Sequence, residues 1–323
     1  MNKFSRFSNM ETLYKKEKLN DTLFIYSKGA EDRSYTVFDK YIDLISPQSI
    51  IMFDSRLRNE SLSSDEMTKY NNIEQIAKEK GIKSIKTISV ENTNLGSYLI
   101  DEGITEESSV SVDISSMNFW ELSDLIYFLL KIICVKKIHL FYTEPDLYHY
   151  ENDNISQYDH NTPNVSVKYI RSYYSTKTLD DEILVSIIGF QKNVSKLMKD
   201  IIEVSQYYSI NGFHSFYPKA KDISQSINSD YLAEIDPANR FSSEATNPFI
   251  TFNTLVDINK ASKGAFMNIC PLSSKPMAVG ACLYALRYPH STRIVYPYEE
   301  TVTTKADGVG HTYCYTIMSE FIS

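Results

Sequence analysis

The chain has 323 residues, 42% of them apolar, enough to bury one large or two small cores. A formal net charge of −8 argues against broad, non-specific nucleic-acid binding, while a local basic pocket stays compatible with it. Cys134, Cys270, Cys282 and Cys314 are far apart and form no CxxC pair, which speaks against a disulfide framework and for free thiols in a reducing compartment.

The first twenty residues contain no apolar core of signal-peptide length. "TLFIYS" (22–27) and "SIIMFD" (49–54) read as buried strands, and a polar helical stretch follows around Ser64–Lys80. "IKSIKTISV" (82–90) and "SVSVDIS" (109–115) are further strands, the latter leading into a helix near Phe119–Ile133. The run "LIYFLLKIICV" (125–135) is too short for a membrane span and is interrupted by Lys131, so a buried helix is expected. "KKIHLFY" (136–142) closes this series. Residues 145–180 are polar and aromatic without helical period and predict a long connection with one short strand at "VSVKYI".

The alternation then resumes. "EILVSIIGF" (182–190), "GAFMNICPL" (264–272) and "TRIVYPY" (292–298) are strands. "NVSKLMKDIIEV" (193–204), "ISQSINSDYLAEI" (223–235), the latter part of 249–263, and "PMAVGACLYALR" (276–287) are helical. Strands alternating with helices predict an α/β fold with mostly parallel sheets.

The halves repeat one another. "LFIYSKGAEDRSYTVFDKYI" (23–42) aligns with residues 183–202, placing Gly29 on Gly189. "VDISSMNFWELSDLIYFLL" (112–130) aligns with 268–286, placing Ser115-Ser116 on Ser273-Ser274. "IHLFYTE" (138–144) aligns with "IVYPYEE" (294–300), placing Tyr142 on Tyr298 and Glu144 on Glu300. The expectation is two Rossmann-like units from an internal pseudo-duplication: 1–150, a connection over 151–180, and 181–323 with a C-terminal extension. Ligands of open α/β sheets bind beyond the carboxyl ends of the strands, so a ligand cleft between the halves is expected.

Three segments can carry chemistry. In "SKGAEDRS" (27–34), Glu31, Asp32 and Ser34 suit a helix start, but Arg33 is unfavourable there unless it meets an anion or one of these carboxylates. In "DISSMN" (113–118), Ser115, Ser116 and Asn118 can cap a helix or bind phosphate or ribose, and Asp113 can accept from a sugar hydroxyl. In "PLSSKPMAVG" (271–280), Ser273 and Ser274 precede Lys275, a cation facing the positive end of a helix that Pro276 can begin; this is the strongest phosphate candidate. Glu31, Asp113, Glu300 and His311 are the acid–base candidates, His311 in the Gly-rich "DGVGH" of the tail. The segment "YHYENDNISQYDH" (148–160), with His149, Asp153, Asp159 and His160, reads as a solvated loop. No GxxxxGK[ST], GxGxxG or GxSxG occurs and the six histidines show no ligand spacing, so neither a cofactor nor a metal is expected.

"MNICPLSSKPMAVGACLYAL" followed by "RIVYPY" resembles the strand, phosphate-binding loop and helix of CRISPR-associated Rossmann-fold (CARF-like) sensor domains. Ser273-Ser274-Lys275-Pro276-Met277 stands where those domains carry Gly-Gly-Thr-Lys-x-Met, and "DISSM" (113–117) resembles a degenerate copy. The chain is also similar in outline to uncharacterised bacterial defence-island proteins with paired α/β halves. The resemblance implies a cytoplasmic antiviral-defence protein binding a nucleotide or other phosphorylated ligand, through Arg33, Ser115, Ser116, Ser273, Ser274 and Lys275. It would act as a sensor or complex subunit, as a homo-oligomer or with a protein partner from the same operon. A nucleotide- or nucleoside-processing enzyme and a structural subunit with a vestigial cleft are the alternatives.

Overall fold

The computed structural model describes residues 4–7, 18–29, 31–54, 64–89, 93–148, 166–175, 181–191, 193–213, 219–298 and 306–321. The chain divides into two compact units, Met1–His149 with Glu300–Ser323, and Tyr150–Glu299.

The first unit runs through β1 (Phe4–Phe7), β2 (Leu23–Ser27), α1 (Thr36–Ile45), β3 (Ser49–Phe53), α2 (Ser64–Glu79), β4 (Ser84–Ile88), α3 (Leu95–Asp101), β5 (Ser109–Asp113), α4 (Phe119–Tyr127), β6 (Lys137–Thr143) and β7 (Leu147–Tyr148). The second runs through β8 (Ser166–Tyr169), β9 (Glu182–Ile188), α5 (Val194–Ile201), β10 (Gln206–Phe213), α6 (Ala220–Ile227), α7 (Ser229–Ala233), β11 (Arg240–Glu244), α8 (Pro248–Ala261), β12 (Phe266–Pro271), α9 (Lys275–Arg287) and β13 (Thr292–Tyr298). The chain then returns to the first unit with β14 (Ala306–Asp307), which pairs with β7, and β15 (Thr312–Met318).

The two sheets share one strand order. The first reads β1-β15-β6-β5-β2-β3-β4 and the second β11-β10-β9-β12-β13-β8. Counting only the parallel strands of each unit in chain order, both are 3-2-1-4-5, with an antiparallel strand beside the fifth: β15 on β6 and β8 on β13. This is the doubly wound α/β arrangement, built twice. Every segment pair aligned in the sequence falls on equivalent strands: β2 with β9, β5 with β12, and β6 with β13.

Strands of the central positions are near-continuous apolar runs because helices cover both faces. All five residues of β2 and all six of β12 are buried. Phe24, Tyr26, Phe38, Ile42, Ile50, Met52 and Ile73 pack one cluster in the first unit. Leu184, Val194, Met198, Cys270 and Val295 pack one in the second. Cys270, Cys282 and Cys314 are buried thiols, whereas Cys134 is exposed.

The structure corrects the expected boundaries. β15 completes the first sheet by pairing along β6, so the tail is not an extension of the second unit. The segment taken as a connection contributes β8, the expected short strand, as an edge of the second sheet. Two parallel strands of the second unit, β10 and β11, have no counterpart in the apolar pattern. β10 buries Ser209 and Asn211 among its apolar residues, and β11 is a polar edge strand.

Candidate functional site

In each unit the order reverses between the first and fourth strands, β2 and β5 or β9 and β12, and the loops at their carboxyl ends surround the switch point.

At the edge of the first sheet the sequence candidates Glu31, Arg33, Asp113, Ser115 and Ser116 are each engaged in bonds within the fold. Arg33, in a 3-10 turn over Asp32–Tyr35, is buried. Its Nε donates to Glu31 Oε2 at 2.7 Å, and one terminal nitrogen donates to Tyr142 Oη at 3.2 Å and to the Thr143 carbonyl at 3.0 Å. The anion that the sequence requires beside Arg33 is Glu31. Ser115 donates from its backbone N–H and its hydroxyl to Asp113 Oδ1, and its Oγ accepts the Thr143 N–H at 2.8 Å. Ser116 Oγ donates to the Ser27 carbonyl at 2.6 Å. Asn118 and Glu121 form a reciprocal capping box on α4, and Glu121 also accepts from Ser27 Oγ at 3.0 Å. A carboxylate therefore already occupies the first turn of α4, where a phosphate would sit.

Next to this network lies a residue that the sequence candidates did not include. Glu144 directly follows β6 and is only 7% exposed. Its Oε1 accepts the backbone N–H of His311 at 3.1 Å, its carbonyl accepts the N–H of Gly310, and its Oε2 is buried with no partner. Burial is the main cause that pushes the Glu144 carboxyl above the ordinary glutamate range; the His311 backbone bond opposes the shift. The His311 ring is exposed, and its main chain is what meets Glu144. Glu144 had one signal in sequence, its alignment with Glu300; Glu300 itself lies outside the described residues, as do His149, Asp153, Asp159 and His160.

At the edge of the second sheet, Gly189 follows β9 at a place with no room for a side chain: a Cβ would stand 2.1 Å from the Leu272 carbonyl oxygen and 3.1 Å from Ser273 Cα. The turn into α5 and the turn into α9 are thus in direct contact. Ser224 Oγ and Asn228 Nδ2 both donate to the Gly189 carbonyl, fixing that turn against α6. Ser274 is the N-cap of α9; its Oγ accepts weakly from Met277 N–H at 3.4 Å and donates to the Ala245 carbonyl at 2.6 Å. Lys275 is the first helical residue, half-buried and engaged in an interaction of its own. Pro276 follows it in the first turn, which has no acidic residue. Ser273 Oγ lies beside Gly212 at the end of β10. An open groove of about 430 Å³ lies at the opposite edge, between Asp181, Ser205 and the 261–265 turn, away from these loops. Among the described residues no group of His, Cys, Asp and Glu is arranged to hold a metal ion, and no helix is long and apolar enough to cross a membrane.

No protein-family model matches the chain, and no curated protein matches it. Among solved structures, a functionally unknown protein from Pseudomonas aeruginosa PAO1 is similar over 86% of this chain and 92% of its own, at 6% identity and a TM-score of 0.26. An N-terminal ketoreductase from a macrolactin assembly line is similar over 83% of this chain and 63% of its own, at 9% identity and a TM-score of 0.18. At these scores neither likeness bears on function, and the α/β assignment rests on the strand order itself.

Proposed function

We propose that the chain binds a nucleotide or other phosphorylated small molecule at the carboxyl edge of its second sheet, as a sensor or as a subunit of a bacterial antiviral-defence complex. The observation that carries this reading is the start of α9. Ser273, Ser274 and Lys275 stand at the end of β12, across the switch point from β9, at a helix whose own first turn holds no acidic residue. The matching loop of the first sheet is closed by Glu121, which favours a structural role for that copy. The resemblance of residues 267–286 to CARF-like domains makes cyclic and linear oligonucleotides the first probes.

The test is thermal denaturation of the full chain with ATP, cyclic dinucleotides and cyclic oligoadenylates. A bound ligand at about a hundred times its Kd adds about 2.7 kcal/mol of stability. Lys275→Ala is expected to weaken such binding by about tenfold or more, the loss of one charge-assisted contact. Absence of any shift in the wild-type chain would end this reading.

Glu144 favours a second reading, a nucleotide- or nucleoside-processing enzyme. A buried carboxyl whose proton is held more tightly than usual, one residue after the Thr143 that Arg33 and Ser115 bind, is what a general acid requires. Turnover of a nucleotide that disappears in Glu144→Gln would support it; equal turnover in both would exclude it.

A further inference from the structure

The segment that brings the tail back into the first unit crosses the carboxyl end of β6. Between β14 and β15 it runs through Gly308, Val309, Gly310 and His311. Its main chain lies directly on side chains that follow β6. A Cβ on Gly310 would stand 2.6 Å from Glu144 Cγ, and one on Gly308 would stand 2.9 Å from Asp146 Cβ. Gly308 also sits in the left-handed region at φ 75°, which glycine adopts freely. Gly308 N–H donates to Asp32 Oδ2 at 3.2 Å, Gly310 N–H to the Glu144 carbonyl at 2.9 Å, and His311 N–H to Glu144 Oε1 at 3.1 Å. Two of the three acceptors that hold this strap are carboxyl groups.

Glu144 is buried under the strap, and its Oε2 has no hydrogen-bond partner. Two effects compete when it ionises. The anion accepts the His311 N–H more strongly, which tightens the strap. The anion also needs solvation that a covered oxygen lacks. Burial is the larger effect, so the closed strap favours the protonated carboxyl. Of the charged groups nearby, Asp146 opposes ionisation and a charged His311 ring favours it. On the turn after β2, Arg33 bonds Glu31, Tyr142 and the Thr143 carbonyl, and Asp32 holds the Gly308 N–H. A state that binds a proton more tightly loses ground as pH rises, so ionisation of Glu144 shifts the strap toward an open, hydrated form.

We propose that Gly308–His311 is a latch over the carboxyl end of β6, closed while Glu144 holds its proton and released when Glu144 ionises. Release uncovers Glu144 next to Thr143, where Arg33 and Ser115 are bonded.

Amide exchange of the full chain at about pH 5 and about pH 7.5 tests the latch. After correction for intrinsic rates, protection of the Gly310 and His311 amides relative to those of β5 should fall about threefold or more on raising the pH. In Glu144→Gln the same ratio should not change. His311→Gln should keep the fall, which separates the carboxyl from the exposed imidazole. Should Glu144→Gln fail to fold, a carbon-13 titration of the wild-type Glu144 carboxyl decides, because its midpoint should coincide with that of the protection loss. The latch is wrong if the wild-type ratio holds or rises with pH, if the fall persists in Glu144→Gln or vanishes in His311→Gln, or if the two midpoints differ.

Discussion

Glu144 is where burial and ionisation conflict most openly. Its carboxyl has one backbone donor and one oxygen with none. Because its pKa in the folded chain lies above the ordinary value of 4.5, the folded state holds this proton more tightly than the unfolded state. Its contribution to stability is full below that ordinary value and is lost as pH rises through the raised one. Glu144→Gln, which cannot ionise, should therefore gain on wild type between about pH 4 and about pH 7. Urea unfolding at both ends of that range measures the difference; a wild type that gains on the variant as pH rises would show that Glu144 is stabilised as an anion. Arg33 gives the opposite lesson. The sequence shows that a cation here needs an anion, and it holds Glu31 two residues away; only the structure shows that Tyr142 and the Thr143 carbonyl complete the arginine's fork.

At the scale of elements, the two strand–turn–helix segments in equivalent places of the two sheets differ at the turn. "DISSMN" forms a closed cap, with Asn118 and Glu121 satisfying each other. "PLSSKP" has a single serine cap and a cation. Both outcomes fit the same local rule, that a helix start collects serine and asparagine, so the sequence could place the helices but could not say whose hydroxyls were already committed. Close packing was legible, its partner less so. Ala278, Gly280, Ala281 and Ala285 predict that α9 lies very close to the sheet, whereas the tight approach at Gly280 is to the neighbouring helix α8. A Cβ on Gly280 would stand 2.4 Å from the Pro248 carbonyl oxygen and 2.8 Å from Thr251 Cβ, both on α8. Gly280→Ala should therefore force the helices apart and cost about 1–3 kcal/mol. Chemical denaturation reads this directly; an unchanged midpoint would mean that α8 and α9 slide freely.

At the scale of the whole molecule, one arrangement is used twice, and the return of the tail to the first sheet ties the two ends of the chain to one unit. Removing residues 306–323 leaves the outer edge of β6 without β15. Amide exchange should then quicken in β6 and β5, while protection in β9 and β12 persists; equal loss in both sheets would show that the units do not hold their structure separately. The sequence by itself determined the α/β class, the repeat, and the strands whose residues are apolar throughout, because burial on both faces leaves no choice of side chain. It did not determine β10, β11 or β15. Serine, asparagine and tyrosine are tolerated in those strands because neighbouring strands and helices satisfy or cover them, and such neighbours are remote in sequence. For the same reason only the tertiary structure decided which polar groups at the two carboxyl edges are committed to the fold. Asp113, Ser115 and Ser116 are bonded to residues up to 89 positions away, whereas the Ser195 hydroxyl remains unpaired.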